Sequence, residues 1–188
     1  MVIIGIDEVG RGCWAGPLVA AAVVLDPEIP IAGLQDSKTL SKNQRELLAK
    51  LIHANAASVG IGWVWPEAID ISGITAAVKS AMEQAIAQIK YPYEAIIIDG
   101  NYNFLPQYAH VTTLVKADGL IPEVSAASIV AKVARDDYMA TQAVDYPLYG
   151  FERHVGYGTA QHIAALQTHG VTVLHRKSFK PIQALLNH

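Results

Sequence analysis

The chain begins with the run VIIGIDEVGRG at residues 2–12. Residues 2–7 are mostly apolar and β-branched, which predicts a short buried strand. Asp7 and Glu8 stand at the end of this strand, where neighbouring side chains point to opposite faces. Two charges that end a core strand and lead into a glycine-rich turn are poorly placed for solubility alone. The stretch therefore predicts a strand whose end takes part in chemistry.

Further along, the sequence predicts strands and helices that alternate. Similar apolar runs predict four more strands, at residues 17–25, 57–65, 95–98 and 111–115. Helical spacing and end signals predict helices after the capping box of Ser41 and Gln44, at 74–89, from Pro122 onward, and at 159–169. This order predicts one α/β domain over residues 1–188, with the last helices stacked toward the C-terminus.

Composition and charge narrow the class of protein. Hydrophobic residues make up 52% of the 188 residues, so the chain can bury a substantial core. One cysteine excludes a disulfide framework, and a net charge of -3 excludes a generally basic nucleic-acid coat. The longest apolar run, at residues 18–25, is too short to cross a bilayer, and we expect a cytoplasmic protein.

The C-terminal segment at about 146–188 differs in charge from the rest of the chain. It holds four Lys or Arg residues against one acid, Glu152, so its formal charge is +3 and that of the preceding residues is -6. An acidic body with a basic flank suits a carboxylate-lined site beside a surface that holds a polyanion. A solubilising tail would show the same imbalance, and charge alone does not separate the two interpretations.

Two further carboxylates are predicted near the end of the first strand. Asp99 ends the strand at 95–98, and Asp118 follows the strand at 111–115. Ligands bind at strand ends in open α/β sheets, and converging carboxylates repel one another unless a cation is present. Oxygen ligands favour Mg²⁺ or Mn²⁺ over zinc, and two such ions would support phosphodiester hydrolysis. Asp-Gly pairs also form turns, so a turn role for Asp99 and Asp118 stays open, and spacing identifies no substrate.

Three other residues with reactive side chains are interpreted as structural. His162 and His169 lie seven residues apart on a predicted helix, which indicates surface positions rather than a metal site. Cys13 has no evident base nearby in the sequence, so we expect a small packing residue.

Six motifs resemble, in the same order, those of the bacterial ribonuclease HII family. They are GIDEVGRG (5–12), QDSKTLS (35–41), IIIDGN (96–101), KAD with PEVSAASIVAKVARD (116–136), YGFERHVGYGT (149–159) and HRKSF (175–179). Six ordered motifs are far more specific than any single one. The resemblance implies an RNase H-like fold, with a mixed central β-sheet flanked by helices and a C-terminal helical segment.

The resemblance also implies an activity. It suggests a metal-dependent endonuclease that hydrolyses RNA in RNA–DNA hybrids and cuts at single ribonucleotides embedded in duplex DNA. Two divalent ions, Mg²⁺ or Mn²⁺, would occupy the site when substrate is bound. The residues that match the family's catalytic, metal-binding carboxylates are Asp7, Glu8, Asp99 and Asp118.

By the same resemblance, other residues hold the nucleic acid. Gly10, Arg11 and Gly12 match the loop that grips the ribonucleotide and senses its 2′-OH, the group that distinguishes RNA from DNA at a given site. Tyr157 matches the tyrosine that stacks on the neighbouring deoxyribose at an RNA–DNA junction. Three lysines are candidate phosphate contacts, with simple solvation as the alternative: Lys38, Lys177 and Lys180.

The sequence departs from the family's pattern at four positions outside the carboxylates. Cys13 and Trp14 stand where Pro and an aliphatic residue are usual, Val155 where Lys is common, and Lys180 where Gly is usual. Val155 removes one candidate phosphate contact, and Lys180 adds a positive charge.

Two other functions remain open at this point. One is a small-molecule phosphohydrolase on a related fold, against which the basic flank and Tyr157 argue. The other is a non-catalytic nucleic-acid-binding module, against which the four retained acids argue. We expect a monomer and leave protein partners open.

Overall fold

A five-stranded mixed sheet lies at the centre of the structure, a computed structural model that describes residues 1–35 and 37–187. The strands are β1 (Ile3–Val9), β2 (Leu18–Val24), β3 (Ser58–Val64), β4 (Ala95–Asp99) and β5 (Val111–Leu114). Their order across the sheet is β3-β2-β1-β4-β5. β2 is antiparallel to β1 and β3, whereas β4 is parallel to β1 and β5. The predicted mixed sheet is therefore confirmed, with β1 at its centre.

Seven α-helices and one 3₁₀ turn surround the sheet in the described part of the chain. They are α1 (Lys42–Asn55), α2 (Pro66–Ser72), α3 (Ile74–Ile86), the 3₁₀ turn Ala117–Gly119, α4 (Pro122–Asp145), α5 (Phe151–His154), α6 (Ala160–His169) and α7 (Lys180–Leu186). The capping box at Ser41 is present as predicted, with Gln44 as its partner. In this described region, no helix combines the length and apolar character needed to cross a bilayer.

The two faces of the sheet bury separate apolar clusters. Ile4 and Ile6 of β1 pack in the cluster that contains Met82 of α3. The opposite cluster joins β2 to α1 and α4, and includes Val19, Ile52 and Ile129. Since side chains alternate along a strand, the even positions of β1 face α3 and the odd positions face α4. Asp7 therefore points toward α4 and Glu8 points to the other face.

Gly5 allows α4 to lie directly against β1. A Cβ atom at Gly5 would sit 2.2 Å from the carbonyl carbon of Glu123 in the first turn of α4, which is far inside contact distance. A larger residue would push the helix off the sheet. This close approach brings the residues just before α4, including Asp118, to the carboxyl ends of β1 and β4.

A third apolar cluster attaches the C-terminal helices. It joins α5, α6 and α7 to the end of α4 and to the loop between β1 and β2, with the buried residues Ala15, Met139, Tyr149, Phe151, Ala165, Leu166, Leu174 and Ile182. The predicted C-terminal helical segment is thus packed on the loop that leaves the first strand.

The structure corrects several predicted boundaries. β1 continues to Val9, so the two acids lie within the strand instead of ending it. α3 ends at Ile86, three residues early, and Gln88 turns its side chain onto the backbone of Ile61 in β3. Three helices, α2, α5 and α7, were not predicted; each has at most seven residues, too few for a clear helical period.

Candidate active site

Three aspartates converge at the carboxyl ends of the two central parallel strands. One carboxylate oxygen from each of Asp7, Asp99 and Asp118 lies within 4.8 Å of the other two. Asp7 comes from β1, Asp99 ends β4, and Asp118 lies in the 3₁₀ turn. The amide of Ala117 donates to Oδ1 of Asp99 at 2.7 Å, which ties the turn to the end of β4. The predicted convergence of these three side chains is present.

Glu8 lies at the same edge but outside this cluster, because alternation along β1 sends its side chain to the opposite face. It lines the same cleft as Asp7 and Asp99. Its Oε1 is 3.7 Å from Nη1 of Arg11, whose side chain is half exposed. Glu8 therefore faces the cleft from the other side of the strand, with the guanidinium of Arg11 nearby.

Burial makes the charged forms of Asp7 and Glu8 unfavourable. Burial, followed by the charge of Glu8, raises the pKa of Asp7 well above its usual range, although a hydrogen bond with Ser128 opposes the shift. Burial also raises the pKa of Glu8, while the Arg11 guanidinium lowers it. A set of close, desolvated carboxylate oxygens is stabilised by a bound cation. Because the donors are all oxygens, the set fits a hard divalent cation.

The carboxylates open into two adjoining clefts that share Lys38 and Asp99. The first has a volume of roughly 410 Å³ and is lined by Asp7, Glu8, Val9, Gly10, Arg11, Gly12, Ser37, Lys38, Asp99, Ser128, Lys132 and Tyr157. The second includes Asp118 and Leu120. The side chain of Lys38 is 78% exposed, and its Nζ lies 3.4 Å from Oδ2 of Asp118. Most of the predicted site residues thus line one continuous surface.

Two buried arginines hold the loop between β1 and β2. Arg176 donates from Nε and Nη2 to the carbonyl of Gly16 and from Nη1 to the carbonyl of Arg11. Arg135 donates to the carbonyls of Pro17 and Ala15 at 2.8 and 3.0 Å. Both side chains are fully buried. The loop carbonyls are therefore fixed toward the protein interior.

The same loop leaves backbone donors available on its outer side. Within residues 1–35 and 37–187, the amides of Arg11 and Gly12 donate to no protein acceptor. A Cβ atom at Gly12 would meet nothing within 4 Å, and its φ is not in the left-handed region. The protein's own packing and backbone therefore do not require glycine at this position.

Tyr157 stands at the rim of the first cleft. The residue is 40% exposed, and its hydroxyl lies near the thiol of Cys13. Burial is the main reason that the pKa of Tyr157 rises to about 12, which keeps the phenol neutral. Cys13 is fully buried, as expected for a packing residue, but its contact with Tyr157 was not foreseen.

Lys177 and Lys180 lie on an exposed surface outside both clefts. The backbone amide of Lys177 donates to Oδ2 of Asp70 at 2.8 Å, and Ser178 donates to Oδ1 of Asp70 from both its amide and its hydroxyl. Asp70 thus fixes the backbone that carries Lys177, while the residue itself is exposed. That Lys177 and Lys180 contact phosphates stays a prediction.

The surface position predicted for His162 is wrong. His162 is fully buried and, with His154 and His175, forms a cluster of imidazoles under the third apolar cluster. His169 is exposed, as predicted. The only sequence signal for this cluster was that five of the seven histidines fall within residues 146–188.

Comparison with known proteins assigns the family. The sequence model described as Ribonuclease HII matches residues 4–182. The chain belongs to the ribonuclease HII family. A curated Ribonuclease HII of Bacillus cytotoxicus is 47% identical over 186 residues, covering 99% of this chain and 71% of that protein. The Ribonuclease HII of Nitrosospira multiformis is 45% identical, covering 98% of this chain and 92% of that protein.

Solved structures agree with the fold of this family. The ribonuclease H2 of Pyrococcus horikoshii superposes with a TM-score of 0.82 at 25% identity, covering 100% of this chain and 98% of that one. The ribonuclease HII of Archaeoglobus fulgidus, solved in complex with PCNA, gives a TM-score of 0.82 at 28% identity, covering 96% of both chains. The chain therefore has the RNase H-like fold of this family, whose members are endonucleases that hydrolyse RNA in RNA–DNA hybrids and depend on divalent metal ions.

Proposed function

We propose that this endonuclease also cuts at single ribonucleotides embedded in duplex DNA, and that it uses two Mg²⁺ or Mn²⁺ ions. The catalytic, metal-binding residues in this proposal are Asp7, Glu8, Asp99 and Asp118. The observation that carries it is the approach of three carboxylate oxygens to within 4.8 Å, beside the amides of Arg11 and Gly12, which donate to no acceptor in the described part of the chain. One built site thus offers both metal ligands and donors for a nucleic-acid backbone.

The carboxylates have distinct tasks in this proposal. Asp7, Asp99 and Asp118 would hold a cation between them, and Glu8 would contribute from the opposite side of β1. When bound, the divalent ions supply activation of the attacking water and stabilisation of the leaving oxygen. Asp99 is held by the amide of Ala117, and Asp7 by the amide of Glu8, so these side chains are oriented before a ligand arrives.

The loop at residues 10–12 and Lys38 would hold the nucleic acid next to the carboxylates. The amides of Arg11 and Gly12 are suited to oxygens of the phosphate or of the 2′-OH. The ligand, and not the protein's own packing, would then explain glycine at position 12, because a side chain there would occupy the space of a ligand that approaches the backbone closely. Lys38 is an exposed cation that borders both clefts and suits a phosphate of the scissile strand.

Tyr157 would read the junction between the ribonucleotide and the following deoxyribonucleotide. Its half-exposed ring lies at the rim of the cleft that holds Asp7 and Glu8, where it can stack on a sugar. Lys177 and Lys180 would contact phosphates farther along the duplex, on the basic C-terminal flank.

A gel assay with three duplexes tests the proposed substrate. The duplexes are a continuous RNA–DNA hybrid, a DNA duplex with one ribonucleotide, and the same duplex made only of DNA. We expect cleavage of the first two with Mg²⁺ or Mn²⁺, none with excess EDTA, and no cleavage of the all-DNA control. Cleavage of the hybrid without cleavage at the single ribonucleotide would contradict the finer specificity, and full activity in EDTA would contradict the metal mechanism.

A pair of glycine variants separates ligand contact from folding. Gly12→Ala should leave the thermal midpoint unchanged, since no atom lies within 4 Å of the new Cβ, yet lower cleavage at least tenfold. Gly10→Ala is the control for damage to the fold, because its Cβ would lie 2.3 Å from Nε of Arg135 and its φ is +87°. If Gly12→Ala cleaves as fast as the wild type, the loop does not approach the substrate in the proposed way.

A further inference from the structure

We propose that His162 is a positioning residue that holds Tyr157 in place for junction recognition, and that His175 fixes the orientation and tautomer of His162. The inference rests on the proposed contact of Tyr157 with the substrate. It assigns specificity to two buried histidines that touch neither the carboxylates nor the clefts.

The hydrogen bonds fix the direction of a donor chain through the two imidazoles. The amide of Thr172 donates to Nδ1 of His175 at 2.9 Å, so this nitrogen is the acceptor and the proton of His175 resides on Nε2. Nε2 of His175 lies 3.0 Å from Nε2 of His162, which must therefore accept. The proton of His162 is then on Nδ1, which donates to the carbonyl of Tyr157 at 2.9 Å. The hydroxyl of Thr172 also lies 2.9 Å from Nδ1 of His175 and can donate to it, so every nitrogen of the pair has a defined role.

Burial keeps this chain in its neutral form. His162 and His175 are at most 1% exposed. Burial is the largest cause that lowers the pKa of each to about 4, and the neighbouring imidazoles contribute in the same direction. His154 stacks on His162 with ring centroids 4.5 Å apart. Both imidazoles are therefore neutral at the pH of the cell interior, as the donor chain requires.

The backbone before Tyr157 needs support from outside the segment. Val155 has φ of 43° and Gly156 has φ of 88°, and a β-branched residue in the left-handed region is strained. A Cβ at Gly156 would lie 2.2 Å from the carbonyl oxygen of Ala15, so this turn is pressed against the loop after β1. A strained turn is held in one conformation only where its surroundings determine it.

Each carbonyl of this turn accepts a hydrogen bond, and those of Val155 and Gly156 accept from distant parts of the chain. Nη1 of Arg135 donates to Val155 at 2.8 Å, and the amide of Trp14 donates to Gly156 at 2.8 Å. The carbonyl of Tyr157 accepts from His162 and also from the nearby amide of Thr159 at 2.9 Å. His162, itself bonded to the more distant His175, is thus the side-chain support at the residue whose ring lines the cleft, and among residues 1–35 and 37–187 its loss would leave the amide of Thr159 as the remaining donor.

Two substitutions at position 162 isolate this hydrogen bond. In His162→Asn the side-chain amide can take the place of Nδ1 and still donate to Tyr157. In His162→Gln the amide reaches the place of Nε2 instead, so the contact with His175 can persist while the donor to Tyr157 is lost. Both variants remove the ring, and both should lower the thermal midpoint by similar amounts. A role in packing alone would affect them equally.

The readout is the ratio of single-turnover cleavage rates on the single-ribonucleotide duplex and on the continuous hybrid. We expect His162→Gln to lower this ratio about fivefold or more and His162→Asn to keep it within about twofold. Equal ratios in the two variants would overturn the inference. Tyr157→Ala is measured in the same assay. If its ratio falls while both His162 variants keep theirs, the positioning role of His162 is rejected and the role of Tyr157 stands. If the ratio of Tyr157→Ala is unchanged, the proposed role of Tyr157 is rejected, and this inference with it.

A measurement on the wild-type protein does not depend on the stability of any variant. Nitrogen chemical shifts of ¹⁵N-labelled histidines at pH 7 distinguish the two neutral tautomers. We expect the Nδ1–H tautomer for His162 and the Nε2–H tautomer for His175. The Nε2–H tautomer at His162 would overturn the inference, because that imidazole could not donate to Tyr157.

Discussion

The carboxylate cluster and the supporting cluster, which comprises the buried Arg135, Arg176, His162 and His175, are built on opposite principles. In the first, Asp7, Asp99 and Asp118 bring like charges together, and burial raises the pKa of Asp7. In the second, Arg176 and His162 are buried with every donor directed at a carbonyl or an imidazole acceptor. Burial and like-charge repulsion in the first region oppose folding, whereas the hydrogen bonds of the second stabilise the fold and hold the loop that follows β1.

This contrast predicts opposite effects of substitutions in the two regions. Removing a carboxylate should abolish activity and relieve repulsion, so the folded state is kept or becomes more stable. Removing a buried arginine should leave carbonyls without partners and destabilise the fold. The predictions below follow this contrast, beginning with the largest expected effect.

Asp7→Asn should lower kcat on an RNA–DNA hybrid by at least a thousandfold, about 4 kcal/mol of transition-state stabilisation. Its thermal midpoint without metal should stay the same or rise, because the buried negative charge is gone. The matched control is Asp137→Asn. This aspartate lies on α4 and lines a separate cleft, so its substitution should keep turnover within about twofold of the wild type. Turnover near that of the wild type in Asp7→Asn would exclude this aspartate from the reaction.

Arg176→Met should lower the free energy of unfolding by about 3 kcal/mol, because buried carbonyls of Gly16 and Arg11 would lose their donors. Although burial lowers the pKa of Arg176 to about 10, the group stays charged at neutral pH. Urea unfolding measures the change. Arg153→Met is the control, since Arg153 is largely exposed and pairs with its exposed neighbour Glu152, and it should shift stability by less than about 1 kcal/mol. Equal effects of the two variants would contradict the supporting role of the buried cluster.

The neutral histidines predict a loss of stability in mild acid. The pKa of His162 is lowered from 6.5 to about 4 in the folded state, so between these values the unfolded chain binds the additional proton. Stability is then fully present above about pH 6.5 and falls with decreasing pH, by about 1.4 kcal/mol per pH unit for each such histidine. His162→Asn should reduce this slope by about that amount between pH 5 and 6. His169→Asn is the matched control at an exposed site on the same helix, and an identical slope in wild type and His162→Asn would refute the assignment.

The parts of the fold that the sequence predicts are those with strong local signals. All five strands were expected, because apolar runs such as that of β2 are buried on both faces and bounded by turns. The opposite orientations of Asp7 and Glu8 also followed from alternation alone. In contrast, α5 spans only Phe151–His154 and carries no periodic signal.

The supporting cluster could not be predicted, because its contacts join distant parts of the chain. Arg176 and Gly16 are 160 positions apart, and His162 and His175 meet only when α6 packs beside the segment before α7. A helical histidine with no other information is equally compatible with a surface position, which is why His162 was misplaced. The carboxylates were easier, since each follows or ends a recognisable strand and parallel strands bring their ends to one edge.

The most direct test of this account is the effect of Mn²⁺ on the thermal midpoint of the wild type and of Asp99→Asn. Mn²⁺ should raise the thermal midpoint of the wild type, because a hundredfold excess over Kd adds about 2.7 kcal/mol to the free energy of unfolding. The rise should be much smaller in Asp99→Asn, which without metal should melt at or above the wild-type temperature. An equal rise in both proteins, or a lower metal-free midpoint in Asp99→Asn, would contradict the claim that the carboxylates are held together for a cation.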